Sequence, residues 1–405
     1  MSKAGAVVTL ALFPVLLLIV ARPAHAQTEA VLYNFTGGSD GGSPQARLTP
    51  DGAGNFYGTT NAGGSSGSGT VFELSPNGSG GWNETVLYSF FGGSDGADPD
   101  YCYVIFDSAG NLYGTTLYGG ANGDGVVFEL SPVGTSWTET VLYSFTKGTD
   151  GAYPTGGLVM DAAGNFYGTN DSSYGLEGSQ VFELSPSADG WTERTIYTTG
   201  YGSFGDSYAG LTMDGAGNIF GLTFRTVFEL SPDGSGGWTP ALIHTFDGAL
   251  GNGYGLGGTP VLDKSGNIYF TTTEGGAGNC GTVLELSPGK GRAWTVRILY
   301  SFKGAPGDGN LPFGGLVLDA VGNIYGTTAY GGMSNSGIVY ELVDKAGTGN
   351  YKEKVLWSFN GTDGESPYGS LIIGRAAKLY GTTLYGGPDW HGVSTGNGIV
   401  FEVTP

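Results

Sequence analysis

Three groups of side chains in this sequence have types and spacings that could do chemistry. Asp389, Trp390 and His391 stand together in one glycine-bounded stretch, residues 384–398. An imidazole beside a carboxylate can serve as a general base or a metal ligand, although no second His or Cys joins it, and the trio also reads as ordinary polar loop residues. Asp98, Asp100 and Tyr101 form the second group, in the segment Asp98-Pro-Asp-Tyr-Cys-Tyr103. With Asp389 and His391 they are the candidate acid and base residues of a catalytic reading. The third group is aromatic: Tyr118, Tyr174, Tyr330, Tyr385 and Trp390, most of them followed by glycine. Rings on a concave face stack on the apolar faces of sugars while nearby Asp and Asn bond hydroxyls, so these five are the candidate ligand-binding residues.

Two further carboxylate sets are defined by their regularity. Asp40, Asp95, Asp150, Asp308 and Asp363 each precede glycine. A ring of such carboxylates could hold Ca²⁺, which favours several oxygen ligands. However, no D-x-D-x-D-G loop is present, and Asp-Gly is also a standard turn pair. Glu73, Glu129, Glu183, Glu229, Glu285, Glu341 and Glu402 recur in a Val-Phe-Glu-Leu-like phrase. Catalysis uses one or two carboxylates in unlike environments, so seven alike are expected to be structural. Asp51, Asp107, Asp161, Asp214, Asp263 and Asp319, with Gly374 in the last copy, precede glycine-containing turns. Aspartate favours such turns by accepting bonds from amides two residues on.

These residues are positioned by a repeat. The phrase Asn55-Phe-Tyr-Gly-Thr-Thr60 returns from Asn111, Asn165, Asn218, Asn267, Asn323 and Lys378, seven copies in all, at a period of ~50–55 residues. Each copy holds four short runs rich in β-branched and aromatic residues and bounded by Gly, Asp, Asn and Pro. In the third copy these are Gly156–Asp161, Asn165–Asn170, Gln180–Pro186 and Thr195–Thr198. Four-stranded sheets bury both faces when packed radially on their neighbours, which predicts an all-β, seven-bladed propeller. Residues 28–35 match a fourth run with no first three before it, and residues 399–403 match a third run lacking its fourth. The amino-terminal strand is therefore expected to complete the last blade and close the ring. First runs should line the channel. There, Gln45-Ala-Arg47 and Asp98–Tyr103 break the Gly-Gly of other copies, and such departures could graft one asymmetric site onto a symmetric scaffold. The very short stretch Leu222-Thr-Phe-Arg-Thr226 could leave a gap in the rim near Arg225.

The repeat resembles the GloVer (Gloeobacter/Verrucomicrobia) tandem-repeat family. The resemblance rests on Gly110-Asn-Leu-Tyr-Gly-Thr-Thr-Leu-Tyr-Gly-Gly120 followed by Gly125-Val-Val-Phe-Glu-Leu-Ser-Pro132, and it covers essentially all of the chain after the leader. It implies a propeller-like, exported protein and transfers no catalytic residues. Family members often carry a carboxy-terminal anchor; none is expected here, where the chain reaches Pro405 within the last blade.

Residues 1–26 read as an export signal: Lys3, an apolar run over residues 7–20, and Ala24-His25-Ala26 as a cleavage site. The expected organisation is a leader, 1–26, and one propeller domain, 27–405, soluble, secreted and monomeric, with no membrane span. The chain carries 16 basic and 36 acidic side chains, net −20, which opposes binding to nucleic acid or anionic lipid. Glycine is abundant at 79 residues, but aromatics make up 13%, which disordered chains lack. Cys102 and Cys280 fall three blades apart, too distant for pairing to be the expectation. Trp82, Trp137, Trp191, Trp238 and Trp294 recur before the fourth run as packing residues, and His244, inside a fourth run, is expected to be structural. The favoured function is an exported binding or scaffold propeller recognising a carbohydrate or another surface polymer on its loop face. The alternative is a polysaccharide hydrolase or lyase acting at the channel mouth.

Overall fold

A computed structural model describes residues 27–171, 179–199, 210–248, 251, 253–344 and 348–405. The described residues are all-β apart from short 3₁₀ segments such as Lys290–Arg292 and Arg375–Ala377. Seven antiparallel four-stranded sheets follow one another in chain order. Blade 1, for example, runs from Thr49–Pro50 beside the channel through Phe56–Thr60 and Thr70–Pro76 to the outermost strand Trp82–Ser89. Blade 7 takes three strands from the end of the chain, and its outermost strand is Thr28–Asn34, paired antiparallel to Ile399–Thr404 from Thr28↔Thr404 to Asn34↔Ile399. The expected closure is thus present, and blade 7 has its fourth strand like the others.

Apolar clusters lie at all seven interblade joints, including the one between blades 7 and 1, where Phe35 and Val400 pack with Phe56 and Phe72. At five joints the phenylalanine that follows the outer strand meets the third-strand ring of the next blade edge-on. Centroids are 5.1 Å apart for Phe35–Phe72, 5.2 Å for Phe90–Phe128 and 5.1 Å for Phe359–Phe401, a favourable arrangement of ring quadrupoles.

The same ring accounts for the glycine of the repeat phrase. A Cβ on Gly58 would fall 2.6 Å from Phe72 Cζ, and one on Gly168 2.5 Å from Phe182 Cζ. Blade 5 shows the complementary solution: Phe270 takes the glycine's place, and its cross-strand partner is Leu284 instead of phenylalanine. The tryptophans begin the outer strands and pack into the joints; Trp82, for instance, stacks on Phe56 at 5.3 Å. His244 sits edge-on to Phe246 at 4.6 Å, and burial lowers its pKa.

The turn aspartates do what their spacing predicts. Asp51 Oδ1 accepts the amides of Ala53, Gly54 and Asn55 at 2.7–2.8 Å, and Oδ2 accepts the Asn55 side-chain amide at 2.8 Å. Asp107, Asp161, Asp214, Asp263 and Asp319 likewise accept the side-chain amide of the asparagine four residues on. The repeated glutamates are structural as well. Glu183, Glu285, Glu341 and Glu402 pair with Arg194, Arg297, Lys354 and Lys378, and Glu129 accepts from Ser131 at 2.8 Å. Cys102 is buried, Cys280 partly buried, and neither is in a disulfide.

Candidate functional site

Most inner strands begin after an Xaa-Pro step whose first residue has positive φ: Ser43 (56°), Asp98 (51°), Tyr153 (52°), Leu311 (56°) and Ser366 (55°). This turn aims the next few residues at the channel. In blades 3 and 6 those residues are Gly156-Gly157 and Gly314-Gly315, which leave room. In blades 1 and 2 they carry side chains, and these fill the room. Tyr103 is buried and lies across the axis. A Cβ on Gly157 would fall 2.3 Å from its ring, Thr259 of blade 5 bonds its hydroxyl, and Gly210 of blade 4 stands beside it. Arg47 of blade 1 lies over the same ring, its Cζ 4.0 Å from the centroid.

Beside this stack opens a cavity of about 290 Å³, lined by Gln45, Arg47, Tyr101, Phe224, Phe313 and Tyr368, together with Glu274, Ser370 and backbone glycines. Tyr101 meets Tyr368 edge-on at 6.5 Å, and Phe313 lies 5.0 Å from Tyr368 at 37°. The polar groups are few. Glu274 is engaged by the Tyr254 hydroxyl, and Ser370 Oγ accepts the Gly315 amide at 2.8 Å. The short stretch after the second strand of blade 4 brings Phe224 into the wall, while Arg225 lies 5.5 Å from the Tyr254 centroid. The ring closure supports one side: Thr382 of blade 7 donates to the Ala46 carbonyl of blade 1 at 3.0 Å. The cavity is concave and mostly apolar with a few convergent polar groups, the form of small-ligand and sugar sites.

Among the candidate catalytic residues, Tyr101 lines this cavity. Asp98 and Asp100 precede it, and Asp100 N donates to the Asp98 carbonyl at 2.7 Å. Burial, with a contribution from neighbouring Asp98, pushes the Asp100 carboxyl up to about 7, and its Oδ1 is buried without a partner. Burial also raises Asp98. Asp389 and His391 are exposed on the loop of blade 7, away from the cavity lining; the His391 backbone N–H donates to Thr395 Oγ1 at 2.8 Å.

The candidate ligand-binding aromatics sit outside the cavity. Tyr118 is exposed and meets Tyr153 edge-on at 5.6 Å. Tyr330 and Tyr385 are half-buried in short pairings with Asn310 and Glu365. Trp390 donates from Nε1 to Glu365 at 2.8 Å and lies against Gly361. Tyr174 lies outside the described residues. The structure therefore gathers Tyr101 with Phe313, Tyr368 and Phe224, rings that sequence reasoning had not singled out. Position could have found two of them, since Phe313 and Tyr368 each follow the proline of the turn.

The candidate calcium aspartates are held apart, one to an interblade joint. Asp40, Asp95, Asp150 and Asp308 each accept a tyrosine hydroxyl, from Tyr33, Tyr88, Tyr143 and Tyr300 at 2.9–3.2 Å, and Asp363 accepts the Trp357 indole at 3.2 Å. Among the described residues no group of three or more His, Cys, Asp or Glu stands together.

Each of these aspartates faces a glutamate on the next blade's outer strand: Glu84 by Asp40, Glu139 by Asp95, Glu193 by Asp150, Glu353 by Asp308 and Glu29 by Asp363. Burial first, and the aspartate's charge second, push all five glutamates up to about 7. Sequence reasoning missed this set, although Glu84, Glu139 and Glu193 all stand two residues after a repeat tryptophan.

Among solved structures, the chain is similar to virginiamycin B lyase from Staphylococcus aureus, at 12% identity over 94% of this chain and 99% of that one, with a TM-score of 0.56. It is equally similar to a protein from Lactobacillus plantarum, at 12% identity over 87% and 99%, TM-score 0.56. At such identities the likeness concerns the fold alone. No curated protein is recognisably similar in sequence. The Gloeobacter/Verrucomicrobia repeat pattern matches residues 20–226 and 225–405, and the chain belongs to that family.

Proposed function

We propose that this protein is an exported binding propeller that takes a carbohydrate chain at the mouth of its channel. The observation that carries the reading is an asymmetric cavity in an otherwise repetitive ring. Tyr101, Phe313 and Tyr368 offer ring faces and edges there, and Gln45 and Arg47 offer hydrogen-bond donors. Stacking plus a few donors is how sugars are held. Tyr118, Tyr330, Tyr385 and Trp390 would extend contact along the loop face for a polymer longer than the cavity. Tyr174 belongs to the same expectation. Export through a leader over residues 1–26 fits this role, and amino-terminal sequencing of protein recovered outside the cytoplasm should begin at Gln27. Among the described residues no helix is long and apolar enough to cross a membrane.

Glycan-array binding of the protein lacking residues 1–26 tests the reading. The paired change Tyr101→Ala with Tyr368→Ala should lower affinity for any array hit at least tenfold, while Tyr118→Ala, Tyr385→Ala and Trp390→Ala should affect long chains more than short ones. Retained binding in the paired variant, with an unchanged melting temperature, would move the site elsewhere.

One observation favours a second reading, a polysaccharide hydrolase or lyase. Asp100, whose carboxyl is raised to about 7, adjoins a residue of the cavity wall, and proton transfer near neutral pH needs such a group. Reducing-end and unsaturated-product assays on the same glycans decide it: turnover abolished by Asp100→Asn would establish the enzyme, and binding without turnover the module.

A further inference from the structure

We propose that the ligand of this cavity carries an anionic group, a carboxylate or a sulfate ester on a sugar ring, held by Arg47. The inference rests on the binding reading above and specifies the chemical class of what is bound.

Arg47 is half-buried at the channel mouth, and its only described partner is the face of Tyr103 at 4.0 Å. Its Nε–H is buried and has no hydrogen-bond partner. This is unusual in a chain with 36 acidic side chains against 16 basic. Arg194, Arg297, Lys354 and Lys378 all found a glutamate on the third strand. The cavity's own carboxylate, Glu274, is taken by Tyr254. With Nε closed off, the terminal Nη groups of Arg47, which line the cavity and have no ion-pair partner among the described residues, are the donor fork that an arriving anion would meet. The plane of that fork is fixed by stacking on Tyr103, which is itself pinned by Thr259. A preorganised fork matches the two oxygens of a carboxylate or sulfate. Tyr101, Phe313 and Tyr368 line the same cavity, so a sugar ring bearing that anion can lie against them. The net negative charge of the molecule opposes such a ligand only weakly, because salt screens charges more than about 8 Å away at physiological ionic strength.

Calorimetric titration with three oligosaccharides of equal length tests this: oligogalacturonate, its methyl ester and a sulfated oligogalactan. The anionic ligands should bind at least tenfold more tightly than the neutral ester. Arg47→Gln should bring that ratio to within about twofold, weakening the anionic ligands far more than the ester. Arg47→Lys, which keeps the charge and loses the fork, should fall between. Preference for galacturonate over the sulfated chain, or the reverse, identifies which anion the site takes. Equal affinity for ester and acid, or a preference that survives Arg47→Gln, overturns the inference and leaves the binding reading intact. If neither these ligands nor an array of neutral glycans binds, the binding reading itself fails.

Discussion

Glycine and phenylalanine at facing positions of the second and third strands behave as one unit. A Cβ at Gly58 would fall 2.6 Å from Phe72 Cζ and 3.1 Å from Leu48 Cδ2, so Gly58→Ala overpacks a joint with no slack. Overpacking costs about 1–3 kcal/mol, and we expect denaturant melts of Gly58→Ala to show that loss. Blade 5, with Phe270 opposite Leu284, supplies the remedy. Pairing Gly58→Phe with Phe72→Leu should recover more stability than the sum of the single changes allows, a coupling that a double-mutant cycle measures. At this scale the sequence was informative wherever a residue acts on its own backbone, as with the turn aspartates. It was silent on Arg47 stacking over Tyr103, because those residues are 56 positions apart and meet only when two blades converge on the axis.

Where one blade's outer strand meets the connection from its predecessor, five carboxyl pairs set how the ring responds to acid. Glu29, Glu84, Glu139, Glu193 and Glu353 are raised to about 7, by burial and then by Asp363, Asp40, Asp95, Asp150 and Asp308. The groups facing them are tyrosine hydroxyls on four of those aspartates, the Trp357 indole on Asp363, Thr195 near Glu193 and Lys303 near Glu353. An acid whose pKa is higher folded than unfolded binds more protons in the native state between the two values. Stability is therefore greatest below the unfolded value, ~4.3, and falls as pH rises towards about 7. Asp51, Asp107, Asp161 and Asp263 act in the opposite sense: burial tends to raise them, but amide bonds outweigh it and hold them below the ordinary range. Their contribution is lost only in stronger acid. The melting temperature should thus peak near pH 4–5 and decline towards neutrality, and Glu84→Gln with Glu139→Gln should flatten that decline; a melting temperature that rises from pH 5 to 7 would contradict it. Blade 5 lacks the device, having Val296 at the glutamate's place, with Asn252 where the preceding connection would carry aspartate. The strands themselves were legible from their composition, and the phrase Asn-x-Tyr-Gly-Thr-Thr located every second strand. These carboxyl pairs were not, because four of them join residues about 45 positions apart and the fifth, Glu29 with Asp363, joins the two ends of the chain.

For the molecule as a whole, the number of blades and the closure followed from counting phrases and noticing an unmatched run at each end, since a ring of sheets leaves no other place for either run. The cavity was legible only as an irregularity at Gln45–Arg47 and Asp98–Tyr103. Its remaining wall comes from blades 4, 5 and 6 and from Tyr368 of blade 7, whose residues have nothing in sequence to mark them as neighbours. Removing residues 27–36 takes away the outermost strand of blade 7 together with Phe35, which packs on Phe72 at 5.1 Å. We expect the shortened protein to melt at least 10 °C lower and to self-associate through the exposed edge of Ile399–Thr404, as scanning calorimetry and light scattering would register. The same seam has another consequence. Thr28 faces Thr404 across the ladder, so a short linker could join the two ends, and the backbone could be reopened at the exposed turn between Asn77 and Gly81. Such a circular permutant should fold to the same ring, its termini carried from the seventh sheet to the first and the Arg47 cavity left intact.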